Sequence, residues 1–337
     1  MKVLRNRSEQ MEGAPKYSVV IPAYNAETTI QGCLEALMVQ TISREDYEII
    51  VVDDGSNDNT AKIAKKYDVV FCRQENQGPA AARNLGAEKA RGEIILFTDA
   101  DCIPAKNWIE EMVCPFLEDP QVVGVKGAYV SHQKSLVARF VQHEYEDRYD
   151  LMKKWKYIDF IDTYSAAFKR NVFTQYGGFD TEFRIAMGED TELSFRLYAN
   201  NYKMVFQPSA VVAHHHPSTL RRYLKRKYNA ALWRILILRK HPNKIRRDSH
   251  TPQLIKIQLV CTLLLPLGVL APFTLKYGSQ VLIAIAALTL ASFSPPTVKI
   301  FRRDTVLGFL APLFLFLRSG AYLLGLATGL FRFTKRK

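Results

Sequence analysis

Residues 92–103 read GEIILFTDADCI, a run of strand-forming apolar residues that stops abruptly at two aspartates flanking one alanine, Asp99-Ala100-Asp101. A buried strand ending in carboxylates sets oxygen donors at the C-terminal edge of a sheet, where open α/β sheets bind ligands, and hard divalent cations take such donors. The stretch therefore reads as a metal and diphosphate site. Aspartates at a strand end also make turns and helix caps, so the flanking sequence has to decide.

Upstream, apolar runs alternate with helical spacings. Residues 18–22 form a short β run, and residues 26–40 place Ile30, Leu34, Leu37 and Met38 on one helical face. Residues 48–52 make a second strand ending in Asp53-Asp54-Gly55-Ser56, with Asn57, Asp58 and Thr60 available to cap a helix through residues 61–66. A third strand at 69–72, a helix at 79–90 and a fourth strand at 94–98 follow. This alternation predicts an α/β domain with a doubly wound, mostly parallel sheet.

In such a sheet the strand tips converge on one crevice. Pro22-Ala23-Tyr24-Asn25, Asp53, Asp54, Asp99 and Asp101 would then line it. A carboxylate there accepts from the imide N–H of uracil, Tyr24 lines a base pocket, and Arg83 on the next helix faces base or diphosphate. The alternative reading is a plain turn at residues 54–56 and a solvated helix arginine.

Four segments in order carry a resemblance: SVVIPAYNAETTIQGCLEAL (18–37), EIIVVDDGSNDNT (48–60), NQGPAAARNLGAEKARGEIILFTDADC (76–102) and GGFDTEFRIAMGEDTELSFRL (177–197). Together they closely resemble the family-two glycosyltransferases of the GT-A fold, over roughly residues 17–216. The resemblance implies that Pro22, Ala23, Tyr24, Glu27, Asp53, Asp54, Arg83, Asp99 and Ala100 bind a nucleotide-sugar. It implies that Asp99 and Asp101 contact a Mg²⁺ or Mn²⁺ ion bridging the diphosphate, with His214 as a further metal ligand. It also assigns the catalytic base to the Glu189-Asp190 pair.

Physical chemistry agrees with that last assignment. An inverting transfer to a hydroxyl requires a carboxylate near the acceptor, and Asp190 is the favoured base. The same residues would also suit a helix start, where acids favour the dipole. His214-His215-His216 follows a strand-like run at 210–213, and adjacent side chains diverge, so one or two at most reach a common site. By resemblance His214 is the one, with a solvent-facing histidine cluster as the alternative. Gly177-Gly178-Phe179-Asp180 looks like the family's acceptor-side loop, where glycine permits unusual dihedrals. Trp155, Tyr157 and Tyr164 offer aromatic faces to an acceptor, but most of them read as core.

Charge divides the chain sharply. Residues 1–216 carry 25 Lys and Arg against 31 Asp and Glu, a net of −6, whereas residues 217–337 carry 21 against 2, a net of +19. The basic excess thus belongs to the C-terminal third, and no nucleic-acid partner is expected. Five cysteines, odd in number and without a C-x-x-C spacing, suggest a reducing compartment and neither a disulfide framework nor a structural zinc. The first 18 residues lack an apolar h-region, which predicts no secretory signal and a cytoplasmic catalytic domain.

Between Pro217 and Arg247 lie eleven basic residues and no acidic one, with an apolar stripe of Leu220, Tyr223, Leu224, Tyr228, Ala231, Ile235 and Leu238. This fits a basic amphipathic helix on an anionic leaflet. Residues 257–275 are long enough to span a membrane and residues 280–298 to return, Pro295-Pro296 notwithstanding. A full span over 305–331 conflicts with the basic residues at Arg302, Arg303 and 335–337 under the positive-inside tendency. Arg318-Ser319-Gly320 could bend it into a re-entrant pair, or Arg318 could face a protein cavity and touch a lipid phosphate.

The expected organisation is a tail at 1–16, the GT-A domain at 17–216, a basic interfacial region at 217–250 and membrane segments over 251–337. The expected protein is a multi-pass cell-membrane enzyme moving a sugar, with inversion, from a nucleoside-diphosphate donor, a UDP-sugar by preference, to a lipid-linked or other membrane-associated glycan. A polyprenyl-phosphate sugar synthase is the alternative within this class, and a nonenzymatic basic membrane-binding protein the alternative outside it.

Overall fold

The computed structural model describes residues 14–183, 185–245 and 248–334, which divide into two units. One comprises the chain up to Val130 together with Trp155–His214; the other comprises Ser131–Lys154 together with the chain from His215 onward. Most of the 1–16 tail and the basic residues 335–337 lie outside the described residues.

The first unit opens with β1 (Tyr17–Ala23), α1 (Ile30–Met38), β2 (Tyr47–Asp53), α2 (Thr60–Ala64), β3 (Val70–Arg73), α3 (Pro79–Lys89) and β4 (Ile94–Phe97). β5 (Cys102–Pro104), α4 (Trp108–Glu118) and β6 (Val122–Val130) follow; α5 (Leu136–Met152) belongs to the second unit. The first unit then closes with β7 (Ala166–Lys169), α6 (Arg170–Gln175), α7 (Glu189–Ala199) and β8 (Lys203–His214). The eight strands form one sheet in the order β3-β2-β1-β4-β7-β6-β8-β5. β3, β2, β1 and β4 are parallel, as the strand–helix alternation requires, while β7 runs antiparallel between β4 and β6.

Every residue of β2 is buried, as expected of a strand covered on both faces. Register brings Ala23 opposite Asp53 and Asp53 opposite Arg73, so the first three strand tips are level. Below the tips, Phe97, Phe168, Phe173 and Phe179 interlock, with Phe97 and Phe179 edge-on at 5.3 Å between ring centres. Phe97→Ala is expected to cost about 3–5 kcal/mol through lost burial and a residual cavity. Chemical denaturation of the detergent-solubilised chain followed by tryptophan fluorescence checks this, with a lowered midpoint expected.

The structure departs from the sequence reading in several elements. Helix α1 starts at Ile30, not at residue 26, because the intervening turn is tied to the loop after β2: Asn25 N donates to Ser56 Oγ, Ala26 N to Thr60 Oγ1 and Glu27 N to Asp58 Oδ2. The polar residues expected only to cap a helix therefore also splice two loops. Strands β5 and β6 escape the alternation signal; β5 has three residues, too few for a period.

The second unit consists of α5, α8 (Leu220–Lys240), α9 (Leu254–Thr274), α10 (Gly278–Arg303) and α11 (Thr305–Thr334). Residues 131–154 thus group with the C-terminal helices and not with the surrounding α/β domain, for an electrostatic reason. α5 carries Glu144, Glu146, Asp147 and Asp150, and these meet Lys227 and Arg318, Arg303, and Lys299. An apolar core of Phe140, Tyr223, Phe293, Leu307 and Phe314 among others lies beside them.

α11 runs as one uninterrupted helix through Arg318-Ser319-Gly320. Arg318 is buried and donates to Glu144 Oε1 at 2.9 Å and to Gln258 Oε1 at 2.5 Å, so its charge is met by an internal carboxylate. Burial pushes Glu144 upward, but Lys227 and Arg318 outweigh it and hold the carboxyl down at about 2. The helices of 21, 26 and 29 residues at Leu254–Thr274, Gly278–Arg303 and Thr305–Phe333 are each long and apolar enough to cross a membrane.

Candidate functional site

All residues singled out at the strand tips lie in the first unit. Pro22 and Ala23 end β1, Ala23 O accepts from Asp54 N at 2.8 Å, and Tyr24 just beyond is half exposed. Glu27 Oε2 accepts from both the backbone N and Nδ2 of Asn59, holding the loop before α2.

Adjacent Asp53 and Asp54 have different work. Asp54 is consumed in loop building, accepting from Gln74 Nε2 at 2.7 Å and from the backbone N–H groups of Gln77 and Gly78 at 2.9 Å. Asp53 accepts from Ser56 N through Oδ1, while its buried Oδ2 has no hydrogen-bond partner among the described residues and lies 3.5 Å from Arg73 Nε. An oxygen in that state is costly unless a ligand donor meets it.

Arg83 is the hub. Only 1 % exposed, it donates from one terminal nitrogen to Asp99 Oδ1 at 2.7 Å and from the other to Glu189 Oε1 at 2.8 Å, joining α3, the tip of β4 and the first turn of α7. Burial works against its charge, and Asp99 and Glu189 more than offset it, so the guanidinium stays protonated. Asp99 and Glu189 are therefore positioned by Arg83, and Arg83 has no terminal nitrogen left without a carboxylate.

Gly188 carries φ +103°, a backbone conformation disfavoured for side chains, and it turns the chain into α7 so that Glu189 points at Arg83. Asp190 takes the other direction, with Oδ1 accepting from Thr191 N at 2.6 Å and from Thr191 Oγ1 at 3.2 Å. Burial and the charge of Asp162 raise the Asp190 carboxyl above the usual carboxylate range. Asp162 is itself ion-paired with Lys126, a lysine buried inside β6 that also donates to Tyr164 OH at 2.7 Å. Sequence reasoning missed this Lys126–Asp162 pair. The signal was a lone lysine in the apolar run VVGVKGAYV (122–130), since a charge there must find a partner.

The loop at Gly177-Gly178-Phe179-Asp180 is fastened to α3. Gly177 and Gly178 have φ of +73° and +65°, and Asn84 on α3 exchanges two hydrogen bonds with the backbone of Phe179, at 2.7 and 2.8 Å. A Cβ on Gly178 would lie 2.5 Å from Asn84 Oδ1. Tyr164 is buried, as its core reading expected, whereas Trp155 is partly exposed.

The second aspartate of the Asp99-Ala100-Asp101 motif parts company with the first. Ala100 is buried between them; Asp101 is about half exposed and its Oδ1 lies 3.5 Å from His214 Nδ1. His214 stacks on Tyr129, whereas His216 joins the second unit, where its backbone N–H donates to Gln133 Oε1 and its ring stacks on Tyr145. Cys102 completes a group with Asp101 and His214 whose ligand atoms all lie within 4.8 Å of one another. Burial, then the charges of Asp99 and Asp101, keep Cys102 in its thiol form. Of the three expected metal ligands, Asp101 and His214 come together, and Asp99 is held on Arg83.

Comparison with known proteins gives concordant results. Residues 18–177 match the family model described as Glycosyl transferase family 2. The chain is 32 % identical over 226 residues to the probable glycosyltransferase YdaM of Bacillus subtilis, covering 63 % of this chain and 53 % of that protein. It is 28 % identical over 222 residues to the poly-beta-1,6-N-acetyl-D-glucosamine synthase of Staphylococcus aureus, covering 63 % and 52 %. The chain thus spans about half the length of these curated relatives. Among solved structures, the mannosyltransferase PcManGT from Pyrobaculum calidifontis, in complex with GDP-Man and Mn²⁺, shares the fold with a TM-score of 0.60 at 21 % identity, over 95 % of this chain and 88 % of that one.

Proposed function

The chain belongs, through residues 18–177, to glycosyl transferase family 2, and from that premise we propose that it transfers a sugar, with inversion, from a nucleoside-diphosphate donor to a hydroxyl of a membrane-associated glycan acceptor. The observation that carries this reading is the buried guanidinium of Arg83 held between Asp99 and Glu189. It ties the donor side of the site to the base side, so the two halves of a displacement share one rigid support.

Asp53 Oδ2, lacking a hydrogen-bond partner, accepts the imide N–H of a uracil base, and exposed Tyr24 lines the base, which favours a UDP-sugar. The donor set fits a divalent cation: an exposed carboxylate on Asp101 and an imidazole on His214, 3.5 Å apart. A Mg²⁺ or Mn²⁺ ion held there would neutralise charge on the departing diphosphate. Glu189 is tied to Arg83, so Asp190 takes the proton from the acceptor hydroxyl. Its elevated affinity for that proton, set by burial and Asp162, makes it a stronger base than a solvated aspartate.

The membrane part of the proposal rests on the three long apolar helices and the basic α8. Helices α9 and α10 cross as a hairpin, and the catalytic domain stays on the cytoplasmic side. The chain is expected to resist extraction by high salt, which screens only surface attraction, and to dissolve in detergent. Accessibility tags at Met1 and at residues 276–279 are expected to report opposite sides; the same side for both would overturn the hairpin.

The reaction is tested by incubating membranes containing the protein with a panel of labelled nucleotide-sugars and isolating labelled lipid and glycan. Transfer from one donor into a membrane-bound product is expected. No hydrolysis or transfer with any donor would favour a nonenzymatic membrane-binding protein.

A further inference from the structure

The two faces of α11 have different surroundings. Leu307, Ala311, Arg318, Gly325 and Gly329 are buried on one face. Val306, Phe309, Leu313, Phe316, Leu324 and Phe331 are exposed on the other, at steps of three, four, three, eight and seven residues that keep to a single stripe. Contacts that tie α11 to the α9–α10 hairpin lie at the open end of that hairpin: Phe309 meets Phe301 in the last turn of α10 edge-on at 5.1 Å, and Arg318 reaches Gln258 near the start of α9. Beyond Arg318 the companion is α8. Gly325 lies against Tyr228 and Ala231, Gly329 against Leu232 and Ile235, and the backbone oxygen of Phe333 accepts from Arg239. The residue numbers rise together, so α8 and α11 run parallel. Glycine lets them approach, since a Cβ on Gly329 would lie 2.6 Å from Leu232 O.

α8 is not built to cross a bilayer. It carries eight Lys and Arg and no Asp or Glu, with Arg221, Arg222 and Lys225 exposed in its first two turns and Arg239 and Lys240 exposed at its end. The stretch between Lys227 and Arg239 is eleven residues, about 17 Å of helix against a hydrocarbon core of about 30 Å. Arg234 interrupts even that stretch, ion-paired to Asp248 at 2.6 Å. Both ends of α8 therefore stay at one membrane surface, because charged residues at the bilayer centre are costly. A helix packed parallel to it from residue 325 to residue 333 stays there with it. α11 also starts at that surface, since it follows directly on the open end of the hairpin.

We propose that α11 does not cross the bilayer but lies flat in the leaflet on the side of the hairpin's open end, with its stripe from Val306 to Phe331 against acyl chains and the exposed cations of α8 at anionic headgroups. The chain then makes two passages, α9 and α10, and leaves α11 on the side from which it entered. The inference rests on the membrane reading above and assigns the path of α11, which that reading leaves open. Length and apolarity alone would favour a third span; packing along a basic helix argues against it.

Two measurements on the full chain test this. Epitope tags before Met1, at residues 276–279 and after Lys337 are probed with an impermeant protease in sealed inverted membrane vesicles. The tags before Met1 and after Lys337 are expected on one side and the tag at 276–279 on the other. A tag after Lys337 that sides with 276–279 would overturn the proposal and leave the hairpin standing. If 276–279 sides with Met1, the hairpin reading fails, and the tag after Lys337 still reads α11 by whether it shares that side. Depth is read in Phe316→Trp, reconstituted in vesicles of phosphatidylcholine and phosphatidylglycerol, as the fluorescence added over wild type. Residue 316 lies about 17 Å along α11 from its start, which is the bilayer centre for a spanning helix, whereas a flat helix keeps it about 5–10 Å into the boundary of headgroups and acyl chains. Bromine placed near the head of the acyl chain is expected to quench the added fluorescence more than bromine placed near its end, and equal or reversed quenching would overturn the proposal.

Discussion

Asp190→Asn is expected to lower kcat by about 10²–10⁴-fold while leaving nucleotide binding nearly unchanged. The amide keeps the size of the side chain and an oxygen able to accept from Thr191, as Asp190 Oδ1 does at 2.6 Å, but it cannot take a proton. Glu189 cannot stand in, because Arg83 occupies it at 2.8 Å. Single-turnover transfer with isothermal titration of the donor diphosphate checks both parts.

The pH dependence sharpens the same test. A base works only when deprotonated, and burial together with Asp162 raises the Asp190 carboxyl above the usual range. Activity in the wild type is therefore expected to fall as pH drops through that raised value, at a higher pH than a solvated aspartate would give. The acid limb should disappear from the residual activity of Asp190→Asn. Near-normal turnover in the folded variant would instead favour a phosphate acceptor, which is already an anion and needs no base.

Asp101→Ala is expected to bring chelator-sensitive transfer to background with the domain still folded. Asp101 is about half exposed, with His214 and Cys102 beside it. Asp99→Ala should behave differently. It takes away one of the two carboxylates on a guanidinium that is almost fully buried, which costs stability as well as activity. Thermal unfolding run beside the transfer assay separates the two. Full activity of Asp101→Ala, or of the wild type in excess chelator, would remove the metal from the mechanism.

Much of the donor half of the fold was legible because its signals are local. The β1 to β4 runs lie within one residue of their observed limits, whereas α1 starts four residues later and α2 ends two residues earlier than the helical spacing suggests; a strand buried on both faces, as β2 is, must be a continuous apolar run. β5 and β6 were not legible in the same way. A three-residue strand has no period, and VVGVKGAYV interrupts its apolar run with a lysine whose partner, Asp162, is 36 residues away. The length and apolarity of the C-terminal helices were equally plain, but the grouping of α5 with them was not. Its acidic residues look like an ordinary solvated face until Lys227, Lys299, Arg303 and Arg318 are brought beside them.

The sequence alone determined the kinds of group available and their order: carboxylates at strand tips, an acidic pair opening a helix, a histidine run closing a strand, and apolar segments of membrane length. These follow from short-range rules of burial, period and turn chemistry. Which member of each pair does which task was decided by the tertiary structure. Asp53 and Asp54, Asp99 and Asp101, Glu189 and Asp190, and His214 and His216 are alike by type and adjacent or nearly so, and the fold sends the two members of each pair to different partners. The physical reason is distance along the chain: Arg83 meets Glu189 across 106 residues and Cys102 meets His214 across 112. Contacts of that separation depend on which strands pair and in what register, and no local pattern encodes them.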